Sequence, residues 1–151
     1  MQKSKGMVDI SDKDITIRTA TASGSVVLDR DVFEVLEKKE CPKGDVLETA
    51  KIAAINSVKA TPSIIPMCHP IGIEAVEVDF AVDERDKSVC VTVKVKSSGK
   101  TGVEMEALCG VSAACLTIYD MLKYKSRGIV ISEIKLMEKS GGKSGDYKRQ
   151  N

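Results

Sequence analysis

The sequence predicts an α+β fold, an antiparallel sheet with helices packed on one of its faces. Three observations carry that prediction. Strand-like patterning marks four stretches, residues 15–28, 76–82, 89–95 and 128–139. Helical periodicity fills the long intervals between the first and second of these and between the third and fourth. The second and third are joined by DERDKS, a turn short enough to force an antiparallel pair.

Taken in order, residues 1–14 are polar and read as a mostly flexible amino-terminal segment in which only MVDI has the look of a strand. ITIRTATASGSVVL (15–28) is rich in Thr and Val and reads as a strand, with Gly24 at a bend or bulge. Asp31 and Glu34 have capping-box spacing and open a short helix carrying Val32, Val35 and Leu36, which stops near Cys41-Pro42. Asp45 and Glu48 repeat that spacing ahead of a helix running to about Lys59. TPSIIPMCHP holds three prolines in ten residues and predicts a rigid extended loop. Val76, Val78, Phe80 and Val82, then Val89, Val91, Val93 and Val95, alternate as the two arms of a hairpin. A long helix over Gly102–Lys123, a last strand over 128–139 and a glycine- and serine-rich end complete the chain. The order β, α, α, β, β, α, β resembles a ferredoxin-like sandwich with additions. One catalytic domain over 15–147 and a flexible tail over 148–151 are expected.

Composition narrows the partners. The chain has 151 residues, with 23 Lys and Arg against 22 Asp and Glu, so no global charge draws it to nucleic acid or to a membrane surface. Aromatic residues are 3% of the chain, too few for base-stacking platforms. No apolar run approaches the ~20 residues of a membrane helix, and MQKSKG is not a signal peptide. Five cysteines without paired C-x-x-C spacing point to reduced thiols and a cytoplasmic location. Cys68-His69 supplies two metal ligands with no second pair nearby, so no metal site is expected.

The helix over 102–123 organises the rest. It is nearly free of charge from Ala107 to Tyr119, and its ionisable groups, Glu104, Glu106, Asp120 and Lys123, stand at its two ends. Glu106 and Asp120 are fourteen residues apart, which places them within about 40° of one face but about 21 Å apart along the axis. Either the ligand is long, or two copies of the chain complete each other's site.

Each candidate has a plain structural alternative. SSGKTG and SGGKSG lack the first glycine of a Walker motif, at Lys94 and Met137, though glycine-rich backbone beside a lysine suits an anionic oxygen. Glu104 has capping-box spacing with Thr101. Glu106, about 200° round the helix, has no such role. Asp120 lies near a helix C-terminus, where the macrodipole disfavours an anion, and Lys123 one turn on is its ordinary ion-pair partner or its partner in proton transfer. His69, the only histidine, is held by flanking prolines as a donor aimed at a ligand would be. The lysines become meaningful only where several converge.

KGDVLETAKIAAINSVKAT, IPMCHPI, SSGKTGVEMEAL, CLTIYDMLK and EKSGGKSGDY, in this order, closely resemble the MoaC family, from about Met7 to Tyr147. That resemblance implies a ferredoxin-like subunit forming a homohexamer, a trimer of dimers with sites at the dimer interface. It implies a cyclic pyranopterin monophosphate synthase of molybdenum-cofactor biosynthesis. Its substrate would be the GTP-derived 3′,8-cyclo-7,8-dihydro-GTP, with diphosphate released and no redox cofactor. Position by position, it assigns Asp120 as the catalytic acid/base and Lys123 as its catalytic neighbour. It assigns Met67, Cys68, His69, Glu104, Met105 and Glu106 to substrate contact, and Lys43, Lys59, Lys139 and Arg18 to the basic lining of the pocket. A triphosphate carries about four negative charges at neutral pH, so convergence of several cations is what such a substrate requires.

Overall fold

The computed structural model describes residues 5–150. Its elements are β1 (Thr16–Val27), α1 (Arg30–Glu37), α2 (Val46–Ile64), β2 (Ala75–Asp83), β3 (Ser88–Gly99), α3 (Glu104–Leu122), β4 (Val130–Ser140) and β5 (Tyr147–Lys148). The strands form one antiparallel sheet in the order β2-β3-β1-β4-β5. The first strand therefore lies between the third and fourth, and the hairpin partner β2 is an edge.

Alternation decides which face is covered. Ala20, Ala22 and Val26 of β1 and Val89, Val91, Val93 and Val95 of β3 are buried, and the pairing of Ala22 with Val93 puts the two sets on one face. Thr19, Thr21, Ser23 and Ser25 point to the other face and stay partly exposed. Over the covered face lies α3, buried through Ala107, Val111, Ala114, Cys115, Ile118 and Leu122, and beside it α2, buried through Ala50, Ala54 and Val58. Each fully buried Val, Ile or Leu contributes about 1.5–3 kcal/mol. Although α3 is long and apolar enough to pass a length-and-composition test for a membrane span, half of that window is buried in the fold, as a core helix requires.

Two glycines set how closely α3 lies to its neighbours. A Cβ on Gly110 would come within 2.9 Å of Val58 Cγ2, and one on Gly24 within 2.6 Å of Val111 Cγ1. The register of β1 against β4 also slips between Ser23 and Ser25, while its pairing with β3 runs unbroken, so the irregularity expected at Gly24 is confined to one side.

Several local expectations are corrected. MVDI forms no strand. The first helix is capped from Asp29 rather than Asp31, with no side-chain cap bond; the Asp29 carboxylate instead accepts from the Ser126 hydroxyl. Glu34, free of a capping role, lies between Arg30 and Lys38 at i±4 spacing. Asp45 does cap α2, accepting from Glu48 N at 3.0 Å. That helix then runs past Lys59 to Ile64 with Pro62 inside its last turn, where Ile65 N–H still donates to the Thr61 carbonyl at 2.8 Å. The loop therefore begins at residue 65 rather than 61 and runs to 74. At the other end, Lys148 is strand rather than tail, and Arg149 continues the tie with its N–H donating to Met137 O at 2.7 Å. The expected flexibility of residues 1–4 and of residue 151 lies outside the described residues.

Gly24→Ala tests the close approach of α3 to the sheet. The added methyl should destabilise the fold by about 1–3 kcal/mol through overpacking against Val111, read as a lower urea midpoint with an unchanged slope. An unchanged midpoint would show that α3 shifts freely.

Candidate active site

At the C-terminal end of α3, one carboxylate stands between two ammonium groups. Asp120 Oδ1 lies 2.8 Å from Lys123 Nζ, and Oδ2 lies 3.1 Å from Lys43 Nζ. The Lys43 ammonium also donates to the Asp120 carbonyl at 2.9 Å, so it caps a free carbonyl at the helix end and offsets the dipole that disfavours Asp120. What brings Lys43 here is local. Gly44, with φ +110°, closes a turn onto the Cys41 carbonyl, and the buried Cys41 thiol donates to Met121 O at 3.3 Å. Hydrogen bonds and charge from Lys123, then Lys43, hold the Asp120 carboxyl below the usual carboxylate range. All three side chains remain about half exposed, open to a ligand.

The N-terminal end has the opposite electrostatics. Val103 takes the N-cap position without a side-chain bond, so the Thr101–Glu104 capping box does not form. Glu104 folds back over Gly102, where a side chain would collide with its carboxylate. Glu106 is buried at 3% exposure, and burial, with the Glu104 charge adding to it, pushes its carboxyl up. Burial also raises the Cys68 thiol, with the Glu106 charge as the next cause. Cys68 and His69 are carried by a loop fastened at both ends: Cys68 N donates to Ile65 O at 3.1 Å, Glu74 N to Lys96 O at 2.9 Å, and Ser97 Oγ to the Gly72 carbonyl. His69 also lies close enough to Asp9 for their charges to interact, as does Lys100.

The remaining candidates are spread around these ends. Arg18, nearly buried on β1, donates through Nε to Gly99 O at 2.8 Å, and its guanidinium lies against Gly142. Lys139 lines a shallow cleft with Lys94, Tyr147 and Lys148. Lys59 is exposed near the end of α2 and Met67 on the loop after it. Met105 borders an apolar groove between α2 and α3 with Ile64, Leu108 and Leu116. Lys43, Asp120 and Lys123 are thus brought into contact, and Cys68 lies near enough to Glu106 for its thiol to feel that charge. Within one chain the two groups stay apart, at opposite ends of α3. Among the described residues no cluster of three His, Cys, Asp or Glu is disposed to hold a metal ion.

Residue typing missed the supports. Ser97 continues the buried row Val89, Val91, Val93 and Val95 as its one polar member, a break that marks it as a tether. Cys41 has no sequence signal beyond its place in a packing face. Lys100, a candidate for anion binding by its GKTG context, donates to the Ser11 carbonyl at 2.9 Å and fastens the amino-terminal segment.

The three-helix α+β domain thus carries a carboxylate between two ammonium groups at one end of α3 and the carboxyls of Glu104 and Glu106 at the other. The chain belongs to the MoaC family, whose description matches residues 7–142. It is 49% identical over 147 residues to proteins named cyclic pyranopterin monophosphate synthase from Bacillus thuringiensis (strain Al Hakam) and Bacillus cereus (strain AH820), covering 96% of this chain and 91% of theirs. A solved structure of the ferredoxin protease FusC with Arabidopsis ferredoxin aligns over 76% of this chain and 11% of that one, at 14% identity and a TM-score of 0.32, a likeness too slight to carry an argument.

The carboxyl carbon of Asp120, followed by NMR, should titrate below the about 3.9 of an ordinary aspartate, and its midpoint should rise when Lys43 and Lys123 are both changed to Ala. Because the folded value is depressed, the ion pairs stabilise the protein above the unfolded value and lose that contribution as pH falls through the folded one. The stability gap between wild type and the double variant should therefore close on acidification. A gap independent of pH would show that the pairs are not coupled to folding.

Proposed function

We propose that the chain is a cyclic pyranopterin monophosphate synthase. It converts 3′,8-cyclo-7,8-dihydro-GTP to cyclic pyranopterin monophosphate with release of diphosphate, acting as a phosphorus–oxygen lyase at an early step of molybdenum-cofactor biosynthesis. The observation that carries this is the 49% identity, over 96% of the chain, to proteins of that name. The geometry at Asp120 supports it. Asp120, kept ionised by its two ammonium neighbours, is the proton acceptor, and the Lys123 ammonium at 2.8 Å is the donor that returns a proton as the purine–sugar skeleton becomes a pterin. Closing the cyclic phosphate needs a sugar hydroxyl to attack the α-phosphorus in line as diphosphate leaves, a step served by positioning and positive charge rather than by a nucleophilic side chain. Lys43, Lys59, Lys139 and Arg18 supply that charge. Glu106, whose carboxyl burial pushes up, with His69, Cys68, Met67, Met105 and Glu104, orients the heterocycle. The raised Cys68 thiol stays protonated and acts as a weak donor. No redox cofactor enters, because the conversion is a rearrangement followed by phosphoryl transfer.

The two ends of α3 belong to one site only if a second chain brings its own Glu106 end to the Asp120 end of the first. A homohexamer built as a trimer of dimers, with ferredoxin-like subunits of the βαββαβ order, is the proposed assembly. The proposed compartment is the cytoplasm, in keeping with five free cysteines.

Asp120→Asn and Lys123→Ala should bind substrate with turnover reduced by about 10²-fold or more, measured as diphosphate released from 3′,8-cyclo-7,8-dihydro-GTP. Full turnover in both folded variants would leave a nucleotide-binding module without catalysis. A mixing experiment addresses the shared site. Asp120→Asn and His69→Ala chains, each inactive alone, should recover up to about a quarter of wild-type activity when co-assembled, because half of the dimers are mixed and each mixed dimer holds one intact site. Absence of recovery in verified mixed assemblies would place each site within one chain.

A further inference from the structure

A helix leaves the carbonyls of its last turn without partners of its own. At the end of α3, backbone that follows takes two of them: Lys123 N donates to Tyr119 O at 2.8 Å, and Lys125 N to Leu122 O at 3.0 Å. The two carbonyls between these accept from outside the helix. Cys41 Sγ donates to Met121 O at 3.3 Å and Lys43 Nζ to Asp120 O at 2.9 Å, so two side chains two residues apart cap two successive carbonyls. These two anchors are unlike. The Lys43 ammonium sits half-exposed at the tip of a flexible four-carbon stem, and it stays on Asp120 only if its own Cα is held near. Cys41 is the single buried residue between Leu36 and Val46, and it packs into the core. Around it the segment is loosely supported. Lys39 and Gly44 adopt φ +54° and +110°, and a cavity of about 170 Å³ borders the turn, lined by Leu36, Cys41, Gly44, Val46 and Leu47.

We propose that Cys41 is a positioning residue: its buried thiol, seated on the Met121 carbonyl, sets where Lys43 stands and so completes the two-ammonium clamp on Asp120. A thiol is a weak donor, so the bond supplies direction while burial supplies the hold. The placement of Lys43 is a property of this chain alone. Its consequence for turnover rests on the proposed function, in which Asp120 accepts a proton and Lys43 contributes positive charge.

The Asp120 carboxyl reports this without substrate, because Lys123 and Lys43 are the charged groups whose hydrogen bonds and charge act on it. Its NMR midpoint is measured in the full chain for Cys41→Ala and Cys41→Val, which remove the donor with and without loss of volume, with thermal melts confirming folding. Both should raise the midpoint by most of the shift that Lys43→Ala produces, whereas Cys41→Ser, which keeps a donor, should hold it near wild type. Cys115→Ala, which removes a buried thiol from the middle of α3, should lower the melting temperature and leave the midpoint in place. In a Lys43→Ala background, Cys41→Ala should move the midpoint no further. The kcat for 3′,8-cyclo-7,8-dihydro-GTP should fall about tenfold in Cys41→Ala and recover in Cys41→Ser. A wild-type midpoint in the folded Cys41→Ala and Cys41→Val chains would overturn the assignment, as would an equal further shift in the Lys43→Ala background. Full turnover by wild type in either case would leave the proposed function standing while the role of Cys41 falls.

Discussion

A helix enclosed along its middle can carry ionisable groups only where it emerges, and that constraint shapes this whole molecule. Between Ala107 and Ile118, α3 is pressed against β1, β3 and β4 on one side and α2 on another, closely enough that Gly24 and Gly110 are the residues admitted at the contacts. An unpaired charge on the buried face of that stretch would cost several kcal/mol. The acids and lysines are therefore driven to the two ends, and the elements around each end exist in part to give those groups partners.

The ends are electrostatically unlike. At the C-terminal end, exposure to water and two ammonium groups keep Asp120 charged. At the N-terminal end, burial pushes up both the Glu106 carboxyl and the Cys68 thiol. A substrate with a polyanionic tail and a nearly neutral heterocycle asks for this contrast: cations and carboxylate where charge develops, and dry hydrogen-bonding groups where a base is read. Two copies are the simplest way to place both kinds of surface around one molecule, because the separation along α3 is built into the helix rise.

The supports are as informative as the reacting groups. Cys41, Ser97 and Gly72 touch none of the proposed chemistry, yet they hold the Lys43 turn and the His69 loop in register with the ends of α3. The amino-terminal segment, ordinary in composition, is fastened by Lys100 beside the glycine-rich loop and walls a cavity with it. Elements without regular structure thus do most of the positioning, on a sheet and helix pair packed against each other.

The four long strands, the three helices and the ionisable ends of α3 were legible in the chain because each depends on local periodicity or on turn chemistry within a few residues. The alternation Val89 to Val95 and the uncharged run Ala107 to Tyr119 carry their own burial pattern. The Asp120–Lys123 pair was legible for the same reason, being one helical turn apart. Lys43 beside Asp120 was not, since 77 residues separate them and only the Cys41 tether and the Gly44 turn close that gap. Local spacing also misled: the capping boxes at Asp31–Glu34 and Thr101–Glu104 do not form, because each helix begins where packing sets its first turn. Pro62 failed to stop α2 because it removes a single backbone donor, and the helical bond from Ile65 N–H to Thr61 O forms beyond it. Short-range order was thus written into the residues themselves, whereas which distant side chains share a cleft, and which carboxyl loses its water, was decided only when the sheet and α3 closed on each other.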